Sequence, residues 1–397
     1  MTPHTPDHIA KELVYDFDMY ADPRFAEDLY PGLDAIMREA PDVFWTPRNG
    51  GHWVVARAAQ IDEVVQDYEH FSVREMQIPR VANPPKFIPL SLDPPDNQAY
   101  RQALMPAFSP KAVRAMEDKI RHWAKAIVGE VANKGECDFV YDVTELFPVS
   151  VFMELMGMDV SRLREFRRVS ERFFAAQNNN PAELEKTVGQ VIGIMTEYIL
   201  EKQKSPDGSL ISQIAQSQVN GRPITMGEMQ NMCLLLFVGG LHTVTNLAGF
   251  AFWHLAGDPE LQHTLASQPE RIAGFVEESL RLFGVINTPR IVAKDTERFG
   301  ASFREGEMVV CMLPMAGRDE RLNPNAAKFD LDRKQREFLT FSKGPHLCIG
   351  HFLARAEIRI LTEEWLKQVP SFRLKPGARQ EYTMGTTVGL KHAPLVW

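Results

Sequence analysis

The chain has 397 residues, 44% of them hydrophobic and 24% charged, an ordinary globular mixture able to bury a large core. Its formal net charge of −8 gives no overall basic field to draw it to nucleic acid or an anionic membrane. Met1 to Ala10 carries no basic cluster followed by an apolar run. Cys137, Cys233, Cys311 and Cys348 are too few and too scattered for a disulfide framework or a paired CxxC metal site. A cytoplasmic protein is expected.

No repeat, linker or low-complexity stretch interrupts the sequence, which predicts a single domain over 1–397. Taken in chain order, a helix is expected over Phe25 to Glu39. A hairpin follows, Val43 to Thr46 and His52 to Val55, turned by Asn49-Gly50-Gly51. Residues 73–95 hold six prolines and little periodicity, the pattern of a long binding loop. From Asp96 to Lys204 amphipathic helical patterns dominate, punctuated by Lys134-Gly135, Phe147-Pro148, Gly157 and Asn180-Pro181.

Asn220-Gly221 makes a turn, and Thr225 with Glu228 then forms a capping box that starts the longest helix, roughly 226 to 256. Cys233 to Leu241 is wholly apolar and could pass for part of a membrane span. His242, Thr243, Thr245 and Asn246 at its middle would be expensive in hydrocarbon, so the pattern predicts a helix enclosed in a large helical protein. Arg290 to Val310 reads as short strands with turns at Asp295 and Glu305-Gly306. A helix over Gly350 to Gln368 and short strands complete the chain.

The stretch Phe341-Ser-Lys-Gly344-Pro-His346-Leu-Cys348-Ile-Gly350 sets one cysteine between two glycines just before a helix. Glycine permits tight turns and close approach of a flat ligand. A sulfur at a helix start meets free amides and the positive dipole end, which favour thiolate. Taken alone, a buried structural cysteine in a glycine-rich turn would be the better reading.

It does not stand alone. The run matches the FxxGxxxCxG haem-binding loop of the cytochrome P-450 family at all four fixed positions, Phe341, Gly344, Cys348 and Gly350. Three further motifs resemble that family in order: Gly239-Gly240-Leu-His242-Thr243, the oxygen-binding stretch; Glu278-Ser-Leu-Arg281, the ExxR pair; and Phe329-Asp330-Leu-Asp-Arg333, which supplies the pair's third member. Phe87-Ile-Pro-Leu-Ser-Leu-Asp93-Pro-Pro, His346-Leu-Cys348 and Pro394-Leu-Val-Trp397 are most similar to the bacterial camphor-hydroxylase type.

The resemblance implies a mainly α fold with small β-sheets and a long central helix over haem b (iron protoporphyrin IX). Cys348 is its iron ligand, an anionic sulfur that favours cleavage of an O–O bond. Arg101, Arg290 and His346 are implied as propionate partners, with Asn97 where many relatives have histidine. Glu278, Arg281 and Arg333 are implied as a buried network bracing the cysteine loop, where a solvated surface pair is the alternative. Thr243 is implied beside bound dioxygen, with Gly239 and Gly240 making room and permitting local widening of the helix. Its hydroxyl can equally bond back to the carbonyl four residues earlier.

His242 stands where the family usually has Asp or Glu, and an imidazole could still relay protons. Phe87, Leu235, Val238, Ile286 and Thr386 are implied around an apolar substrate pocket. Pro85 replaces a hydrogen-bonding tyrosine, which argues against camphor and for a terpenoid or norisoprenoid-like compound. The implied reaction is hydroxylation with O2 and two electrons from a [2Fe-2S] ferredoxin served by its NAD(P)H-dependent reductase. Arg101, Lys343, Arg355 and Arg359 are expected to form a basic docking patch for it. A peroxide-driven haem peroxygenase and a non-enzymatic haem sensor are the competing readings.

Overall fold

The computed structural model describes residues 5–80, 85–176 and 181–397, apart from the side chains of Phe174 and Pro181; the part of the proline-rich loop at 81–84 and the Asn180-Pro181 junction's first residue lie outside them. Helix α1 runs Leu29–Glu39, with the Asp28 side chain accepting from the Tyr30 N–H. That cap starts the helix later than the sequence suggests, and Pro23–Phe25 forms a separate 3-10 turn before it.

The hairpin Val43–Thr46 and His52–Val55 pairs Val43 with Val55 and Thr46 with His52. Asn49, Gly50 and Gly51 all take positive φ in its turn. These strands join Met308–Met312, Asn287–Val292 and Phe71–Ser72 in a five-stranded sheet. Every residue of the two hairpin strands is buried because the sheet is covered on both faces. Phe44 and Val54 enter one core cluster, while Val43, Trp45, Trp53 and Val55 enter another. Between the last two long strands, Thr296–Arg298 and Ala301–Phe303 pair around Phe299 and Gly300, both at positive φ.

Helices α2 (Ala58–Gln66), α3 (Asp96–Leu104), α4 (Pro110–Ala132), α5 (Phe147–Met156), α6 (Leu163–Ala176), α7 (Pro181–Lys204) and α8 (Leu210–Gln216) precede α9, Met226–Ala256. Thr225 and Glu228 close the expected capping box at its start. After it come α10 (Pro259–Ser267), α11 (Ile272–Leu282), the one-turn α12 (Leu313–Ala316) and α13 (His351–Gln368). Among the described residues α9 alone is long and apolar enough to cross a membrane, and 67% of its most apolar window is buried within the protein.

Helix α9 joins two cores. Residues up to Leu241 pack with α5, α6, α7 and α8, and residues from Val244 onward pack with α1, α4, α11 and α13. The junction falls at His242 and Thr243, a setting in which sites commonly form.

Candidate functional site

The Cys348 loop is folded back on itself: the Cys348 N–H donates to the Phe341 carbonyl at 2.9 Å. Gly344 takes φ +65, and a Cβ there would lie 2.9 Å from the Gln66 side chain, so glycine is required on two counts. Gly350 differs from expectation. Its φ is −85, open to any residue, and its contribution is its N–H, which bonds to the cysteine sulfur.

Cys137, Cys233 and Cys311 are buried and Cys348 is exposed. Burial pushes the first three thiols up to about 12. Desolvation raises Cys348 as well, against the pull of the Gly350 N–H, Arg101 and Arg355. The helix start alone therefore does not lower this thiol below its ordinary value. A bound cation is what would hold it as thiolate.

Beside the loop, polar groups converge that outnumber their partners. Arg101 on α3 donates to the Leu347 carbonyl at 2.6 Å. Arg290, fully buried in the central sheet, donates to Thr288 Oγ1 and the Pro289 carbonyl, each at 2.8 Å. Both ring nitrogens of His346 and both amide atoms of Asn97 are buried without a hydrogen-bond partner. Burial, then Arg290 and Arg101, drive the His346 pKa down to about 3. Asp93, the acid that Arg290 senses, is already engaged by Ser72 Oγ at 2.5 Å and the Val73 N–H at 3.0 Å. Two guanidinium groups with orphaned donors beside them fit a dianionic edge such as the two haem propionates.

The middle of α9 has a stripe that the protein does not bury. Leu235, Val238, Gly239, His242 and Thr243 are accessible or half-buried, whereas Leu234, Leu236, Phe237, Leu241 and Val244 are buried. The spacing of three and four places the stripe on one helix face. A Cβ on Gly239 would meet nothing within 4 Å, whereas one on Gly240 would sit 3.3 Å from the Phe152 ring. Gly240 thus serves packing against α5 and makes no room on the open face. The helix is continuous through this point.

Thr243 Oγ1 donates to the Gly239 carbonyl at 2.9 Å, leaving its lone pairs to accept from another group. Burial lowers the His242 pKa to about 4. Its Nδ1 lies 3.4 Å from Asn246 Nδ2, and a donating amide there places the ring proton on Nε2.

Behind the loop, buried Glu278 on α11 accepts from Arg281 Nη2 at 2.7 Å and Nε at 3.0 Å, and from Arg333 Nε at 3.1 Å. Arg336 Nε and the Asp330 N–H, each at 3.0 Å, complete the shell. Although burial opposes it, these donors hold Glu278 below the usual carboxylate range. Arg281 also reaches the Gly317 and Ala326 carbonyls, and Thr340 bonds to the Leu280 carbonyl at 2.5 Å, just before Phe341. Arg336 carried no motif and was legible only once the chain folded.

Of the residues taken for the substrate pocket, Leu235 and Val238 lie on the open α9 face, and Phe87 packs on the same cluster as Val238. Ile286 and Thr386 are brought together on neighbouring segments: Ile286 bridges Thr387, and the Asn287 N–H donates to the Thr386 carbonyl at 2.8 Å. The expected basic patch is largely neutralised. Lys343 pairs with Asp62, Arg355 with Glu277, and Arg359 with Glu117 and Glu363, while Arg101 pairs with no acid among the described residues. Lone basic side chains in sequence give no sign of such local acids.

A helix-rich fold with a cysteine loop beside converging guanidinium groups and orphaned donors, and a long central helix with one open face, defines a haem-thiolate class of protein. The chain belongs to the cytochrome P450 family, whose model matches residues 41–395. It is 32% identical to a protein of Sinorhizobium fredii described as probable cytochrome P450 127A1, over 99% of this chain and 96% of the relative. Linalool 8-monooxygenase of Pseudomonas putida is 26% identical over 91% of this chain and 93% of its own. The crystal structure of CYP101J2 superposes with a TM-score of 0.93 at 33% identity, covering all of both chains, and that of CYP101C1 with 0.92 at 27% identity, covering 99% and 100%. The chain is an oxidoreductase of the P450 monooxygenase type, a family that uses a haem-thiolate cofactor, O2 and a redox partner.

Proposed function

We propose that the protein is a cytoplasmic, single-domain monooxygenase that hydroxylates a small hydrophobic compound of terpenoid or norisoprenoid size, drawing electrons from a [2Fe-2S] ferredoxin and its reductase. The observation that carries it is the open face of α9, lined by Leu235, Val238, Gly239, His242 and Thr243, at the junction of two cores. An apolar wall with a few polar groups selects compact apolar molecules. Pro85 offers no hydrogen-bond donor, and one relative is named for action on linalool.

Haem b, bound through Cys348 with Arg101, Arg290, His346 and Asn97 toward its propionates, supplies the one-electron chemistry that activates O2. The protein's own contribution is to order groups and move protons. Thr243, with its proton committed to the Gly239 carbonyl, accepts from a donor on the open face and fixes that donor's position. His242, neutral above about pH 5 because burial lowers its pKa to about 4, gives up its Nε2 proton only as another reaches Nδ1, so it acts as a relay and not as a resident acid.

The test begins with the reduced protein under carbon monoxide, where thiolate ligation gives a strongly red-shifted main band and Cys348→His abolishes it. A library of terpenoid ketones and alcohols is then screened for displacement of the iron-bound water, read as a spin-state change. His242→Ala should lower the share of reductant that ends in product about tenfold, and His242→Asp should restore it. Unchanged coupling in both variants would refute the relay. Efficient turnover with peroxide but none with reduced ferredoxin would replace the monooxygenase reading by a peroxygenase.

A further inference from the structure

The open face of α9 ends at Asn246, one helical turn beyond His242. Its amide is buried, and its Nδ2 lies 3.4 Å from His242 Nδ1. What closes the face there is the C-terminal hairpin, in which Tyr382 pairs with Leu390 and Thr383 with Gly389. A Cβ on Gly389 would stand 2.1 Å from Asn246 Oδ1, 2.4 Å from its Cγ and 2.8 Å from its Nδ2, all well inside van der Waals contact. The backbone does not call for glycine, because the φ of Gly389 lies outside the positive range. Glycine at 389 therefore serves to admit one amide.

The strand cannot retreat from that amide. The Val388 N–H donates to the Val285 carbonyl at 2.9 Å and the Lys391 N–H to the Glu381 carbonyl at 2.8 Å, one on each side of Gly389. Thr383 Oγ1 donates to the Gly389 carbonyl at 3.3 Å. Three residues along α9, a Cβ on Gly249 would lie 4.0 Å from the Leu390 Cβ, so helix and hairpin stay closely packed beyond the amide. With Oδ1 turned to the glycine, the NH2 of Asn246 faces His242 Nδ1, which must then be the unprotonated nitrogen. At 3.4 Å the contact is long, so it biases the tautomer without barring Nδ1 from a stronger donor.

We propose that Asn246 and Gly389 are positioning residues for the reaction: the glycine seats the amide, and the amide fixes which nitrogen of His242 carries the proton. This rests on the reading that His242 relays protons. The pair presents Nε2–H at rest and keeps Nδ1 as the acceptor for the incoming proton. A ring free to exchange tautomers would offer the wrong nitrogen for part of the time.

The experiment uses the full-length, haem-loaded protein with ¹⁵N-labelled histidine, reduced and bound to carbon monoxide so that the iron is diamagnetic. The His242 ring signals are those missing from His242→Ala. At about pH 8, where the ring is neutral, wild type should favour the Nε2–H form by at least about tenfold. Asn246→Ala and Gly389→Ala should each bring that ratio below about two to one, and the double variant should match Asn246→Ala, because the glycine acts only through the amide. Gly389→Ala should also lower the urea midpoint of the wild-type protein but not that of Asn246→Ala, where the added methyl has room.

The proposal is overturned if the ratio in Gly389→Ala stays within about twofold of wild type, or if Gly389→Ala has the same effects with and without Asn246. A wild-type ring carrying its proton on Nδ1 overturns it as well. Tautomer ratios that change as expected, with coupling of reductant to product unaltered in His242→Ala, would instead remove the relay reading, and the pair's part in the reaction with it.

Discussion

Replacing Glu278 by glutamine changes one oxygen to an amide inside a shell built for a carboxylate. Five donors converge on Glu278: two from Arg281, one each from Arg333 and Arg336, and the Asp330 N–H. Arg281 and Glu278 are fully buried, and the Arg333 and Arg336 side chains are 7% and 18% exposed. Glutamine keeps one acceptor, turns an NH2 toward the guanidinium groups that Oε2 served, and removes the charge that balances three arginines.

Stranding buried charge in this way costs roughly 3–5 kcal/mol, a large part of the roughly 5–15 kcal/mol by which a typical domain is stable. Arg336→Met removes one donor at the wetter edge and leaves four, so its cost should be about 1–2 kcal/mol. Urea unfolding at 25 °C, followed by far-ultraviolet circular dichroism and by haem absorbance, should rank Glu278→Gln well below Arg336→Met and wild type. Haem should also be released sooner from the glutamine variant, because Arg281 ties the carbonyls of Gly317 and Ala326 behind the loop. Equal losses in the two variants, or a loss below about 1 kcal/mol for Glu278→Gln, would refute the view that charge balance holds this network.

Acid stability should depend on His52, which is fully buried with burial lowering its pKa to about 4. The neutral form is favoured by the fold, so its stabilisation is complete above the unfolded value near 6.5 and is lost as pH falls toward 4. The difference is about 3 kcal/mol, and His52→Leu should flatten the stability-against-pH curve between pH 6 and 4. Gly239→Ala should raise unfolding stability by about 0.5–1 kcal/mol through helix propensity, since nothing opposes its Cβ. The same change should weaken carbon monoxide binding, measured by titration, because the added methyl occupies the open face. Asp93→Ala removes the carboxylate that joins the two ends of the 73–95 loop through Ser72 and Val73. Proteolysis within that loop should accelerate several-fold while global unfolding moves little.

Much of the site was legible in sequence because its signals are local. FxxGxxxCxG is ten consecutive residues, Glu278 and Arg281 meet through helical spacing alone, and Thr225 with Glu228 caps α9 as their separation dictates. The same locality sets the hairpin, where three residues at positive φ turn the chain. Contacts across long separations were decided only by the tertiary structure. Arg336 reaches Glu278 from 58 residues away. Lys343 loses its free charge to Asp62, 281 residues distant. Gly239 and Gly240 are adjacent and alike in sequence, but one faces open space and the other the Phe152 ring. Helical rotation sends neighbouring residues to different faces, and only packing determines which face closes and which stays open.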